Sequence, residues 1–347
     1  MSIINSETRI ARLLEWLRTC PPSLGLEPAS LAPASSDASF RRYFRITAAQ
    51  GTLVVMDAPP PQEDCRPFVD VARRLAAVHL NVPTILAQDL TQGFLLLTDL
   101  GPTTYYDSIQ SGLADARLQA IYRDALAALV QMQTADATGL PVYDTARLKD
   151  ELGLFVEWYV SVHCKVNLEP AALEGLNHVF DLLVTRNAAQ PRVLVHRDFH
   201  SPNLMHCDRP EYGANPGILD FQDAVSGPIT YDLASLVMDA RTTWEEPQQI
   251  DWAIRYWELA RKNGLPVPAD FADFHQDYEW MGLQRNLRIL GVFSRLNHRD
   301  GKAAYLAHIP RVNQYVRQVA GRYIAFKPLL RVLDELDHVQ IKVGYTF

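Results

Sequence analysis

The stretch VLVHRDFHSPNLM, Val193–Met205, decides the fold of this 347-residue chain. Its first three residues are apolar, as in a buried strand, and a polar loop begins at His196. Asp198 stands in that loop, and Asn203 follows it by five positions. Taken alone, the H-R-D turn is also compatible with an ordinary buried ion pair, so its meaning depends on what accompanies it along the chain.

A second strand ending in an acid follows downstream. The segment ILDFQD, 218–223, places Asp220 seventeen residues after Asn203. Transfer of a phosphoryl group to an alcohol needs a carboxylate that orients the hydroxyl and accepts its proton, and oxygen ligands that hold a metal ion on the phosphates. Mg²⁺ prefers carboxylate and amide oxygens of this kind. The loop and the second strand together indicate phosphoryl transfer.

Hydrophobic patterning divides the chain into a β-rich first part and a helical remainder. Strands are predicted at residues 40–46, 52–57, 84–87 and 94–98, with a helix at 63–80 between the second and the third. Other helices are predicted at residues 5–19, 118–133, 148–162, 171–185 and 278–296. The sequence therefore predicts an α+β fold with a small β-rich N-lobe, residues 1–100, and a larger helical C-lobe, residues 101–347, joined at Asp99-Leu100-Gly101-Pro102.

Composition restricts the possible partners. The net charge of -7 gives no general attraction to nucleic acid or to an anionic membrane, and no obligate protein partner is implied. No apolar stretch approaches the ~20 residues that cross a bilayer, and the N-terminus lacks a signal-like segment, so we expect a cytoplasmic protein. The 4 cysteines lie far apart without a C-x-x-C pair, which argues against a zinc site.

Several motifs resemble those of the aminoglycoside phosphotransferase and choline kinase superfamily, which is related to protein kinases. The resemblance covers residues from about 30 to 300. Three segments look like a narrower group, the anomeric N-acetylmuramate and N-acetylglucosamine kinases of cell-wall recycling: SDASFRRYFR at 36–45, VMDAPP at 55–60 and DFHSPNLM at 198–205. The resemblance implies ATP and Mg²⁺ as cofactors and an amino sugar as acceptor. It also implies that Asp198 is the catalytic base and that Asn203 and Asp220 bind the metal, while His196 and Asp232 support the catalytic loop. Asp232 could also be a simple helix cap.

The nucleotide site is predicted with two departures from the wider superfamily. Residues 36–39 replace a glycine-rich turn over the phosphates, and Met56 stands where related kinases carry a strand lysine. Arg41, Tyr43 and Arg45 share one strand face by the period of two, so Arg41 is the first candidate for the missing cation. These arginines could instead be solvated or bind Glu63 and Asp64. The predicted nucleotide-binding residues are Ser36, Asp37, Ala38, Ser39, Arg41, Tyr43, Thr98, Asp99 and Leu100.

The acceptor site is predicted on the helix at 278–296. At about 100° per residue, its residues Trp280, Gln284, Arg288, Gly291 and Arg295 share one face. An aromatic ring, an amide and a guanidinium suit a sugar that carries a carboxylate, and Arg288 is the predicted carboxylate partner. The alternative is a solvated stripe.

His200 and Asp223 complete the predicted acceptor site, although Asp223 could equally be a surface acid. Two other functions stay open from the sequence. An aminoglycoside phosphotransferase would favour a more acidic acceptor site, and Met56 is compatible with a pseudokinase that binds nucleotide without turnover.

Overall fold

The computed structural model describes residues 6–36 and 40–337. Its helices are α1 Ser6–Thr19, α2 Arg66–Ala77, α3 Tyr105–Gln110, α4 Asp115–Met132, α5 Thr145–Leu154, α6 Pro170–Ala189, α7 Tyr231–Val237, α8 Glu246–Lys262, α9 Phe271–Asp300, α10 Ile309–Ala320 and α11 Lys327–Leu336. Its strands are β1 Ala32–Ser36, β2 Arg42–Ala48, β3 Gly51–Asp57, β4 Ile85–Asp89, β5 Phe94–Thr98, β6 Arg192–Val195, β7 Leu204–Met205, β8 Gly217–Ile218 and β9 Val225–Pro228.

Contacts divide the chain into two compact units. The first comprises Met1–Ala125 and Pro202–Asp223, and the second comprises Leu126–Ser201 and Ala224–Phe347. The predicted α+β class is confirmed, because an antiparallel five-stranded sheet precedes a series of long helices. The lobe boundary drawn at residue 100 stays a prediction. No helix in the described part of the chain is long and apolar enough to cross a bilayer.

The sheet of the first unit has the strand order β1-β2-β3-β5-β4, and α2 connects β3 to β4. One face of this sheet packs on α1, where Leu13 and Leu17 meet Ile46, Val55 and Leu96. Because side chains alternate along a strand, the neighbours of these core residues point to the opposite face. That opposite face carries the candidate nucleotide residues of β2.

A buried ion pair fixes the start of β2. Asp57, at the end of β3, is fully buried and accepts hydrogen bonds from Arg9 of α1, with Nε at 2.8 Å, and from Arg42, the first residue of β2. An unpaired carboxylate at this depth would cost several kcal/mol, so the pairing holds both arginines in place. Arg41 immediately precedes Arg42 in the chain, so the same ion pair restricts the position of the Arg41 backbone.

The second unit is built around α9, whose residues from Tyr278 to Ser294 are nearly all buried. A helix that is covered on all sides lies in a core. It packs against α5, α6, α7, α10 and the π-helix Phe155–His163 that continues from α5. Gly291 allows that approach, because a Cβ there would lie 2.4 Å from the backbone of Leu154.

Candidate active site

The H-R-D loop belongs to the second unit and begins where β6 ends. β6 pairs with β9 in antiparallel register, and Asp232 follows at the second position of α7. The fully buried carboxylate of Asp232 accepts the backbone N–H of His196 at 2.6 Å and of Arg197 at 2.9 Å. Arg197 has a φ of 78°, a left-handed conformation that a non-glycine residue holds only when its surroundings fix it. Asp232 provides that restraint through the two amides.

Asp198 is held in its ionised form. Burial by itself would raise the pKa of this carboxyl, but Arg288, His200 and Arg285 lower it to about 2. A carboxylate with so low a pKa is a weak base, so it cannot carry a proton through a slow step at neutral pH. Such a group can orient a hydroxyl and receive its proton late, once the oxygen is bonding to phosphorus, as loose phosphoryl transfer requires.

Three groups converge on Glu151 of α5 beside the loop. Arg197 Nη2 and Arg288 Nε each lie 3.2 Å from its carboxylate, and the hydroxyl of Tyr143 donates to it. Burial opposes the charge of Arg288, but Tyr231 and Glu151 raise its pKa above the ordinary value. Arg288 is therefore a permanently charged residue that Glu151 and Asp198 already share.

His200 is buried and uncharged at neutral pH. Burial lowers its pKa to about 4, although Asp239 and Asp198 act in the opposite direction. Asp239 accepts a hydrogen bond from Ser201 Oγ at 2.6 Å and lies 4.0 Å from Arg241. The Nδ1 atom of His200 has no hydrogen-bond partner among the described residues.

The helix face predicted to bind the acceptor is part of the core of the second unit. Trp280 packs on Phe326, with ring centroids 4.7 Å apart, and Arg186 lies over its ring at 5.3 Å. Gln284 is fully buried, and its Nε2 donates to the carbonyl of Leu148 at 2.8 Å. The solvated-stripe alternative is wrong, since this face packs on α5 and α6. Among the predicted acceptor residues on α9, Arg288 acts electrostatically on Asp198.

The first unit holds a cavity of about 450 Å³ on the open face of its sheet. Tyr43, Thr98, Asp99 and Leu100 line it, together with Asn203 and Asp220. The structure thus brings predicted nucleotide residues and predicted metal ligands to one cavity. Ser36 lies in β1 at its backbone, and residues 37–39 lie outside the described residues.

Asn203 and Asp220 lie side by side in this unit. Asn203 Nδ2 is 3.4 Å from one carboxylate oxygen of Asp220, and Gln222 Nε2 donates to the other at 2.9 Å. The side chain of Asp220 is 38% exposed and its backbone has a φ of 62°. An amide side chain and a carboxylate side by side on an accessible rim are the ligand types that Mg²⁺ prefers. Asp223 is exposed and also accepts from Gln222.

The two candidate arginines, one just before β2 and one within it, have different partners. Arg41 Nη2 lies 3.7 Å from Asp220, whereas Arg45 forms a two-point contact with Asp99, with N–O distances of 2.5 and 3.0 Å. Of the alternative partners, Glu63 accepts the N–H of Phe40, and Asp64 pairs with Arg66. Met56 is buried opposite Tyr43 in the β2–β3 register.

Sequence reasoning missed Glu151, Tyr143, Arg285 and Gln222. Glu151 lies in a predicted helix, but its arginine partners are 46 and 137 positions away, so no local pattern connects them. Gln222 lies within the ILDFQD segment, where its position two residues after Asp220 is a local signal for a second polar group at the site.

Comparison with known proteins identifies the family of the chain. A model of the phosphotransferase enzyme family, APH, matches residues 30–271. The N-acetylmuramate/N-acetylglucosamine kinase of Pseudomonas aeruginosa is 47% identical over 341 residues, which cover 96% of this chain and 97% of that protein. The kinase of the same name from Pseudomonas putida is 44% identical over 338 residues, covering 95% and 96%.

A solved choline/ethanolamine kinase family protein from Mesorhizobium loti has the same fold, with a TM-score of 0.61 at 14% identity over 94% of this chain and 99% of that one. The resemblance predicted from the motifs is confirmed by these matches, since the family model spans more than half of the sequence and the Pseudomonas relatives span nearly all of it. The chain belongs to the phosphotransferase enzyme family, APH.

Proposed function

We propose that this enzyme transfers the γ-phosphoryl group of ATP to the C1 hydroxyl of N-acetylmuramate and N-acetylglucosamine, giving sugar 1-phosphates for peptidoglycan recycling in the cytoplasm, where ATP is supplied. One observation carries the chemical part of the proposal: Asp198 is an ionised carboxylate on a loop whose backbone is fixed by Asp232. The names of relatives at 41–47% identity support the choice of sugar.

Asp198 is proposed to accept a hydrogen bond from the C1 hydroxyl and to take its proton as the new O–P bond forms. Its negative charge turns the oxygen lone pair of the hydroxyl toward the phosphorus atom. Asp232 and His196 keep the loop in position, and Arg288 keeps Asp198 ionised. This division of roles assigns proton transfer to one side chain and positioning to its neighbours.

Asn203 and Asp220 are proposed to hold Mg²⁺, which supplies positive charge to the phosphate oxygens when it is bound. Arg41, at 3.7 Å from Asp220, is proposed to supply the cation that Met56 does not. Tyr43 and the segment Thr98–Leu100 are proposed to hold the adenosine portion in the cavity of the first unit, and residues 36–39 to cover the phosphates. Residues 1–100 would then form the nucleotide lobe and residues 101–347 the acceptor lobe.

A coupled ADP-release assay over a panel of amino sugars and aminoglycosides tests the proposal. We expect turnover with N-acetylmuramate and N-acetylglucosamine, and little with aminoglycosides, because arginines surround Asp198 and would repel polycations. Turnover of aminoglycosides alone would support the wider superfamily activity instead. ATP binding without turnover of any compound on the panel would support a pseudokinase.

A further inference from the structure

Arg285 of α9 acts on the catalytic Asp198 through its charge but has no ion-pair partner among the described residues. Its residue is 4% exposed, and its Nε and Nη1 atoms have no hydrogen-bond partner among the described residues. No carboxylate of the described chain lies within ion-pair distance of its guanidinium, although its charge acts on both Asp198 and His200. Burying a charged group without a partner costs several kcal/mol, and a bound anion would lower that cost.

The neighbouring arginines differ from Arg285 in this respect. Glu151 lies 3.2 Å from both Arg197 and Arg288, and Asp239 lies 4.0 Å from Arg241. Each of these guanidinium groups therefore has a carboxylate partner within the second unit. Arg285 has no such partner among the described residues, and its charge acts on Asp198, so an anionic ligand bound near Asp198 could pair with it.

The chemistry of Arg285 selects the class of ligand. A guanidinium group presents parallel N–H groups that match a carboxylate in two-point contact. N-acetylmuramate differs from N-acetylglucosamine by a lactyl ether at C3, which ends in a carboxylate two ring positions from C1. A sugar whose C1 hydroxyl meets Asp198 would therefore carry that carboxylate close to its reacting end, and Arg285 and the Nδ1 atom of His200 are, within the described chain, unpartnered groups near Asp198.

We propose that Arg285, and not Arg288, binds the lactyl carboxylate of N-acetylmuramate and so determines the preference of the enzyme between its two sugars. The inference rests on the proposed function and names the residue that distinguishes its two substrates. Two measurements test it, one of substrate preference and one of stability.

Substrate preference is measured with Arg285→Met on three sugars: N-acetylmuramate, its lactyl methyl ester and N-acetylglucosamine. We expect the ratio of kcat/KM for N-acetylmuramate over N-acetylglucosamine to fall by roughly tenfold to a hundredfold, the range for loss of a charged hydrogen bond. Wild-type enzyme should prefer N-acetylmuramate to its methyl ester, and Arg285→Met should lose that preference. Esterification of the sugar and substitution of the arginine remove the same contact, so their effects should not add. Arg299→Gln, an exposed residue of the same helix paired with Asp300, is the matched control and should keep both ratios.

Stability is measured by thermal unfolding without ligand. Arg285 helps to keep Asp198 ionised but has no ion-pair partner in the described part of the chain, so Arg285→Met should lower the melting temperature less than Arg288→Met does, because Arg288 also pairs with Glu151. A larger loss in Arg285→Met would mean that Arg285 is a structural arginine. If the methionine variant does not fold, the inference is contradicted on this measurement, and Arg285→Lys still reports the acid-to-ester preference.

Equal losses for both sugars, or an acid-to-ester preference that survives in Arg285→Met, would overturn the inference while leaving the proposed function intact. Failure of the wild-type enzyme to phosphorylate either sugar would instead contradict the proposed function itself.

Discussion

Replacing Arg288 with methionine should reduce turnover of both amino sugars, and this prediction separates the structural account from the simpler one drawn from the sequence. Arg288 is the foremost of the positive groups that lower the pKa of Asp198 to about 2, against the effect of burial. It also lies 3.2 Å from Glu151. Without it, Asp198 binds a proton more readily and Glu151 keeps Arg197 and Tyr143 as its partners.

The magnitude follows from these contacts. Each tenfold rise in the proton affinity of Asp198 corresponds to about 1.4 kcal/mol less stabilisation of its ionised form. We expect kcat/KM to fall roughly tenfold to a thousandfold for N-acetylmuramate and N-acetylglucosamine alike, as for loss of a preorganised charge at a reacting group. The folded protein should also be less stable, because the removal leaves a buried carboxylate short of one partner.

The assay is the pH dependence of kcat/KM with N-acetylglucosamine. In the wild type the acidic limb lies near the low pKa of Asp198, below the working range. In Arg288→Met that limb should move to higher pH, since the protonated carboxyl cannot accept the hydroxyl proton. A rise in KM for N-acetylmuramate alone, with an unchanged pH profile, would refute this reasoning and restore Arg288 as the carboxylate partner.

Two further predictions concern the first unit. Arg41→Ala should lower turnover by roughly tenfold to a thousandfold in steady-state kinetics, because the phosphates lose a fixed cation. The control is Arg66→Ala, which changes an exposed residue paired with Asp64 and should leave turnover unchanged. Equal kinetics for both variants would mean that the cation lies elsewhere. Asp220→Ala should shift the Mg²⁺ concentration needed for half-maximal ATP turnover upward by on the order of tenfold or more, whereas an unchanged Mg²⁺ titration would remove Asp220 from the metal site.

The sequence predicts the elements whose patterns are local. β5 is found at the residues predicted, and the strand before the H-R-D loop differs by one residue, because both are short apolar runs with clear ends. β1 was missed, since its residues APASS include no β-branched or aromatic side chain. Its strand conformation depends on backbone pairing with β2, a contact that the segment itself does not encode.

The site was predictable where it lies on one continuous motif and not where it depends on packing. Asp198 and Asn203 were identified from a single loop. Trp280 was placed on the acceptor face by helical spacing, but that spacing cannot distinguish a face that binds a ligand from one that packs on a neighbouring helix. Arg285 differs from Arg197 and Arg288 in lacking a carboxylate partner among the described residues, and that difference depends on tertiary contacts that the sequence does not reveal.

The central claim is most directly tested by following N-acetylglucosamine and ATP with ³¹P NMR in the presence of wild-type enzyme and of Asp198→Asn. We predict a sugar 1-phosphate from the wild type. In Asp198→Asn the rate should fall far below about a tenth of the wild-type value, a loss well above ~1.4 kcal/mol, while ATP affinity is retained. No phosphosugar, phosphorylation at another hydroxyl, or a variant that keeps more than about a tenth of the activity would contradict the account.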